Sequence, residues 1–349
     1  MHNLELTEDQ DMIVDTVRKF VADAVAPAAL EEDEHRRCVR GQFDGLGELG
    51  LFGLLVAESA GGAGLGFVPY AAALECVGAH SSSLAALWIG HTQCALAAEA
   101  AVAALDAMIA GSVLASFAGP EHGLRFAGGR MSGTAALLTG GAVAGQFIAA
   151  AVEDGKPVLL AVPGERVQRA ELRSLGLASA GCARVGFDGA EATVLASGEA
   201  AAHAIARARL AGWIGVAGTA VGGALASIEA SRTHAGQRIA FGKPLLVHHA
   251  VQRKLVECGH RAEAARHLTW HAARLADSGQ DAVDAAMHAR IAAVDAMVLS
   301  ADEAIQIHGG YGYTVEYHVE RHYRDGKTLE ALDGGSERLR DLLAARRFG

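Results

Sequence analysis

Apolar positions along the chain change their period twice. Ile13, Val14, Val17, Phe20, Val21 and Val25 recur at helical spacing, the signature of a helix that buries one face. Thr7 and Gln10 stand at capping-box spacing ahead of them, where hydroxyl and amide each satisfy a free backbone donor, and Pro27 ends the run. Phe43, Leu46, Leu49 and Leu51 predict a second helix. The acidic run from Glu31 to His35 between them reads as a solvated loop. Behind the glycine-rich stretch Gly61 to Gly66, Ala-rich helical sequence continues to about residue 110.

From about residue 112 to 200 the texture is different. Short apolar runs such as FIAAAVED, PVLLAVPG and ARVGFDG are bounded by glycines and turn residues, which predicts strands. Strands and helices do not alternate there, which argues against a dinucleotide-binding βαβ unit. Helical periodicity returns at about residue 201. ARLAGWIGVAGTAVGGALASIEASRTHAG reads as one long helix with Gly and Ala on its packing face, followed by two more around 246–277 and 281–308. A glycine loop, HGGYGYT, precedes the C-terminal segment. The expected fold is α+β and mostly α: an N-terminal helical domain (1–111), a small middle β domain (112–200) and a C-terminal helical bundle (201–349).

Composition sharpens this picture. The chain has 349 residues, 51% of them hydrophobic, which is enough for a sizeable core. Pro is scarce (6) while Ala is abundant, a mixture that favours helices. The 43 glycines are then expected in loops, caps and close contacts. A net charge of -10 argues against a nucleic-acid grip, which needs a positive footprint. Five cysteines, an odd number without a CxxC pair, read as reduced thiols. The polar first residues do not resemble a signal peptide, and no apolar stretch runs uninterrupted by polar or Gly residues for the length of a membrane span. A cytoplasmic location is the expectation. His267 and His271 share a helical face and His248 and His249 are adjacent, but no HExxH or third ligand accompanies them, so no metal site is expected.

Three ordered stretches carry a resemblance: RIAFGKPLLVHHAVQRKL (Arg238 to Leu255), AIQIHGGYGYTVEYHVERHYRD (Ala304 to Asp325) and LDGGSERLRDLLA from Leu332. They are similar to the C-terminal domain of acyl-CoA dehydrogenases. GGAGLG and the N-terminal LTEDQ are similar to that family's first domain, so the resemblance covers essentially the whole chain. It implies FAD bound at a subunit interface and α,β-dehydrogenation of an acyl-CoA or carrier-bound acyl thioester. A carboxylate takes the α-proton, and the flavin takes the β-hydrogen as hydride. It also implies a homo- or hetero-oligomer built as a dimer of dimers, with an electron-transfer flavoprotein as electron acceptor.

Residue by residue, the resemblance assigns Arg238 to the FAD pyrophosphate of a neighbouring subunit, where a planar guanidinium suits bidentate contact. Phe241 is assigned as a ring beside the cofactor, or else to the core. Gln306, Gly309, Gly310 and Gly312 match the segment whose backbone packs against the ADP half of FAD. Asp333 falls where most members carry the catalytic Glu, one methylene longer, and Gly335 stands where the threonine of that motif is usual. Nitroalkane oxidases of the same superfamily use Asp as base. The alternative base position on the long helix is Ala208 here, which carries no carboxylate, and the adjacent Arg209 is a candidate for contact with CoA. The flavin-ring segments also depart: FAGPEHG (Phe117 to Gly123) lacks the usual small hydroxyls, and AALLTG keeps Thr139 but has Leu137 in place of an aromatic. The grip on the ADP half is kept while the ring pocket is eroded. This resembles short family members that share flavin between unequal subunits, the alternative being a half-site subunit or an oxidase.

Overall fold

The computed structural model describes residues 6–99 and 102–349. Met1–Glu5, which bear part of the argument against a signal peptide, lie outside the described residues. Helix α1 (Glu8–Phe20) is closed by the expected capping box: Gln10 N donates to Thr7 Oγ1 at 3.3 Å and Thr7 N to Gln10 Oε1 at 3.1 Å. It runs on through a π turn, Val21–Val25, to Pro27.

The acidic run is not a solvated loop. It forms α2 (Ala29–Glu34), and Asp33 accepts from Arg324 Nη2 at 2.6 Å, so one of its carboxylates joins the N-terminal helices to the C-terminal bundle. Helix α3 (Arg40–Glu48) ends before Leu49, which is exposed, while Leu51 packs in a following 3-10 turn. Helices α4 (Phe67–Gly78), α5 (Ser82–Ala97) and α6 (Val102–Ile109) complete the first region. Every residue of α5 is buried, which explains why its sequence lacks an amphipathic stripe.

Strands β1 (Ala115–Ala118), β2 (Leu124–Ala127), β3 (Arg130–Ser132), β4 (Thr134–Leu138), β5 (Gln146–Glu153), β6 (Lys156–Pro163), β7 (Gln168–Glu171), β8 (Ala183–Gly186) and β9 (Thr193–Ser197) follow. They form two sheets. One has the order β3-β2-β5-β6-β9 with β1 also paired to β5, and the other has the order β4-β8-β7. β5 runs parallel to β1 and β2 and antiparallel to β6. Phe147 and Phe187, both fully buried, meet edge to face at 5.8 Å, in the geometry aromatic pairs prefer.

The 40-residue α7 (Gly198–Gln237) crosses the centre of the molecule. By length and composition it could span a membrane, but 83% of its most apolar window is buried inside the protein, so its hydrophobicity serves the core. Its glycines are explained by α4. A Cβ at Gly218 would stand 2.6 Å from the Ala71 carbonyl oxygen, and one at Gly222 would overlap the Glu75 carbonyl, so the two helices touch at their backbones. A short hairpin, β10 (Ile239–Ala240) and β11 (Lys243–Pro244), leads to α8 (His249–Asp277), α9 (Val283–His308), α10 (Val319–Ala331) and α11 (Gly335–Phe348). Asp277 at the end of α8 accepts from the Phe67 and Val68 amides, which caps α4 from the other end of the chain. All five cysteines are unpaired. Among the described residues no three His, Cys, Asp or Glu gather as a metal site, and His267 and His271 are exposed.

Candidate active site

Two separate places collect the chemistry. The outer one is a cleft of about 540 Å³ where α7 ends and α9 gives way to the glycine loop. Arg238, Gln306, Gly309 and Gly310 all line it, together with His234 and His308, whose rings stack 4.2 Å apart. Burial pushes both imidazoles below their usual range. His308 is also held by an Nδ1 contact of 2.7 Å to the Ala304 carbonyl.

The glycines of this loop divide by role. A Cβ at Gly309 or Gly310 would meet nothing within 4 Å, so these two leave open space in the cleft. Gly309 also has φ +62, a conformation that favours glycine. Gly312 is a correction to the motif reading. Its Cβ would overlap the Ile305 carbonyl, so packing within the chain requires that glycine and no ligand is needed to explain it.

For Phe241 the core alternative is corrected. It lies outside the cleft, 95% exposed at the tip of the β10–β11 hairpin, with φ +52. Gly242 follows with φ +79, so both turn residues are left-handed, as a tight two-residue hairpin turn requires.

The inner place lies between α5, β4, the turn after β1 and the junction of α10 and α11. Gln93, His122, Thr139 and Asp333 are its polar walls, and Ile89, Phe117, Leu137, Leu138, Val216 and Leu332 its apolar ones. The cavity they leave is about 20 Å³, room for about one water molecule. Thr139 Oγ1 donates to the Ala86 carbonyl at 3.3 Å. Asp333 sits in a tight turn with φ 51 and ψ 35, a left-handed conformation that Asp tolerates better than most residues. Gly334 and Gly335 follow at φ +89 and +85, and Gly335 begins α11.

Charge gathers around Asp333. Arg290 on α9 is fully buried. Its Nη1 is 3.8 Å from Asp333 Oδ2, and its Nη2 donates to the carbonyls of Leu329 and Leu332. Arg209 is not a solvated helix residue reaching outward. Its guanidinium lies 4.7 Å from the Trp213 ring centroid, and its charge acts on Glu121 and Asp333. Glu121 is nearly enclosed, and burial together with the Asp333 charge pushes its carboxyl up to about 7. Burial lowers His122, whose Nε2 is 3.4 Å from Glu121 Oε1.

Comparison with known proteins places this arrangement. Residues 7–104 match the family described as acyl-CoA dehydrogenase, N-terminal domain, and residues 199–348 match acyl-CoA dehydrogenase, C-terminal domain. An acyl-CoA dehydrogenase of Bacillus subtilis (strain 168) is 31% identical, with 98% of each chain covered. The chain belongs to the acyl-CoA dehydrogenase family. Butyryl-CoA dehydrogenase from Megasphaera elsdenii shares the fold with a TM-score of 0.90 at 24% identity, over 99% of both chains. The prolyl acyl carrier protein oxidase AnaB does so with a TM-score of 0.90 at 21% identity, covering 99% of this chain and all of that one.

In this acyl-CoA dehydrogenase the residue motifs point to the outer cleft and to Asp333, but they miss Glu121, Arg290, Arg338 and Gln93. Arg338, on α11, acts on Glu121 through its charge. Together with Asp333 and Arg209 the four come from six separate elements, so no spacing in the sequence announces them. The only sequence signal was the pair Glu121-His122 inside FAGPEHG, where the family's hydroxyls were absent.

The acyl-CoA dehydrogenase family consists of flavoproteins, and the two places fit the parts of FAD unequally. The outer cleft has a guanidinium, an amide and two glycines whose absent side chains leave space, a donor set suited to the ADP half. The inner cavity, at about 20 Å³, admits no three-ring flavin unless its walls part.

Proposed function

We propose that the protein carries out flavin-dependent α,β-dehydrogenation of an acyl thioester, with Asp333 as the base. The observation that supports this most is the Asp333 carboxylate itself. A left-handed turn sets it at the wall of a small pocket with polar and apolar sides, with a buried arginine beside it. Asp333 takes the α-proton, and its backbone N–H donates to the thioester carbonyl, where negative charge develops. Phe117, Leu137, Val216 and Leu332 keep water from the reacting carbons, which strengthens both interactions. Arg238, Gln306, Gly309 and Gly310 would hold the ADP half of FAD, and Thr139 and Gly335 would contact its ring. The flavin, when bound, supplies the hydride acceptor that no side chain can provide.

The resemblance supports CoA as the thioester carrier, and the likeness to an acyl carrier protein oxidase makes a carrier-bound acyl group the variant to test beside it. An electron-transfer flavoprotein as acceptor, a dimer of dimers and a cytoplasmic location complete the proposal. A second reading is favoured by the contrast between the roomy outer cleft and the closed inner cavity. In it, the chain is a half-site subunit that completes a partner's FAD site.

Asp333→Asn tests the base. Asn tolerates the left-handed backbone, so FAD content should be kept while turnover on an acyl-CoA panel disappears. Unchanged turnover would sink the assignment. Flavin stoichiometry separates the readings: one FAD per subunit in the chain purified alone supports the enzyme, and flavin only with a partner subunit supports the half-site.

A further inference from the structure

Glu121 has no part in the reading above, yet the fold places it with care. It lies in the 3-10 turn Pro120–His122 that follows β1, with its side chain only 7% exposed. Gly119 has no side chain where a Cβ would overlap the Glu121 carboxylate. On the far side, a Cβ on Gly334 would stand 3.4 Å from Glu121 Cβ. Gly119 therefore leaves the room for this carboxylate, and Gly334 sets the Asp333 turn and Arg338 close beside it.

The groups that face it come from four elements. Asp333 belongs to the turn before α11, Arg338 to α11 and Arg209 to α7, while His122 adjoins it in its own turn. Arg290 on α9 feels both carboxylates. The charges of three guanidiniums thus act on the two carboxylates, Arg290 standing nearest Asp333 at 3.8 Å. With Glu121 protonated, the surroundings of Asp333 carry an excess of positive charge, and such surroundings weaken a carboxylate as a base. With Glu121 ionised, one of those three positive charges is offset.

We infer that Glu121 is a positioning residue for proton abstraction, a second carboxylate whose charge offsets Arg209, Arg290 and Arg338 around Asp333. This rests on the reading of Asp333 as base. Glu121 does not line the cavity, so it acts on the substrate only through its neighbours. Burial and the Asp333 charge move its titration to about 7, which places the change in its charge in the neutral range.

The test is the pH dependence of kcat and KM in the flavin-loaded enzyme for Glu121→Gln, Glu121→Asp and Asp333→Asn. Glu121→Gln keeps the shape and removes the charge. Its kcat should fall about tenfold or more at pH 8 with KM little changed, and the rise in kcat around pH 7 should vanish. Glu121→Asp should restore part of both. Far-ultraviolet circular dichroism and FAD content establish that each variant is folded. A Glu121→Gln enzyme with the wild-type pH profile overturns the inference while leaving the base intact if Asp333→Asn is dead. An active Asp333→Asn overturns the base assignment, and the inference falls with it.

Discussion

Arg290 Nη1 stands 3.8 Å from Asp333 Oδ2, with the arginine side chain fully enclosed and about a quarter of the aspartate side chain exposed. The same guanidinium donates through Nη2 to the carbonyls of Leu329 and Leu332, the last turn of α10 and the residue before Asp333. One buried cation thus fixes both the backbone that presents the candidate base and the charge beside it. Arg290→Met is expected to leave two carbonyls and a carboxylate without their partner. Breaking a buried pair from one side costs about 3–5 kcal/mol. Urea denaturation should show a loss of that order, together with a lower Tm; a loss below about 1 kcal/mol would show that water or another side chain takes over.

The backbone contact between α4 and α7 gives a paired prediction. Ala is the better helix former by about 1 kcal/mol, so Gly→Ala in a helix with free space should stabilise. Gly259 in α8 has nothing within 4 Å of its Cβ position, and Gly259→Ala is expected to raise stability by up to about 1 kcal/mol. At Gly222 the new methyl would overlap the Glu75 carbonyl and stand 2.8 Å from the Ala79 amide nitrogen, where only a shift of a whole helix makes room. Gly222→Ala should therefore destabilise by about 3 kcal/mol, at the upper end of overpacking costs. Equal melting temperatures for the two variants would contradict the close crossing.

The helices were readable in the sequence because each signal is local: Thr7 and Gln10 for a cap, Val14 and Val17 for a buried face, Pro27 for an end. The outer cleft was readable for the same reason, since Arg238 and the Gln306–Gly310 segment each keep a short recognisable spacing. Two failures at these motifs have physical causes. Gly312 has the motif's spacing but answers to the Ile305 backbone, a contact that spacing cannot distinguish from a ligand. Phe241 is apolar, which favours the core alternative, yet hairpin geometry drives it to the surface. The acidic run around Asp33 looked like a surface loop because its partner, Arg324, is nearly three hundred residues away. The cluster around Asp333 was hidden for that reason too, as Glu121, Arg209 and Arg290 meet only once the chain is folded.

His91 sets the acid limit of the N-terminal region. It is fully buried on α5, its ring packed against Phe43 at 5.1 Å and Phe52 at 4.5 Å. Ala115 N donates to Nδ1 at 3.1 Å, so Nδ1 is an acceptor, and Nε2–H donates to the Met108 carbonyl at 2.9 Å. A second proton on Nδ1 would face the Ala115 N–H, and burial already lowers the imidazole to about 4. The sign follows from that lowering. Above about 6.5 the ring is neutral in both folded and unfolded chains, and its full contribution is present. Between 6.5 and 4 only the unfolded chain takes up the proton, so stability is lost as pH falls, by about 3 kcal/mol over the window. Glu121 works in the opposite direction. Its carboxyl is raised from 4.5 to about 7, so its contribution is present at low pH and lost as pH rises through that range. Asp325, raised by burial to about 6, and His322, lowered by burial, add slopes of their own in the same window. The His91 part is therefore read as the stability difference between Glu121→Gln and Glu121→Gln/His91→Gln. That difference should be largest at neutral pH and shrink by about 3 kcal/mol from pH 6.5 to 4. Denaturant midpoints at half-unit pH steps check it, and a difference independent of pH would show that His91 is not the titrating group.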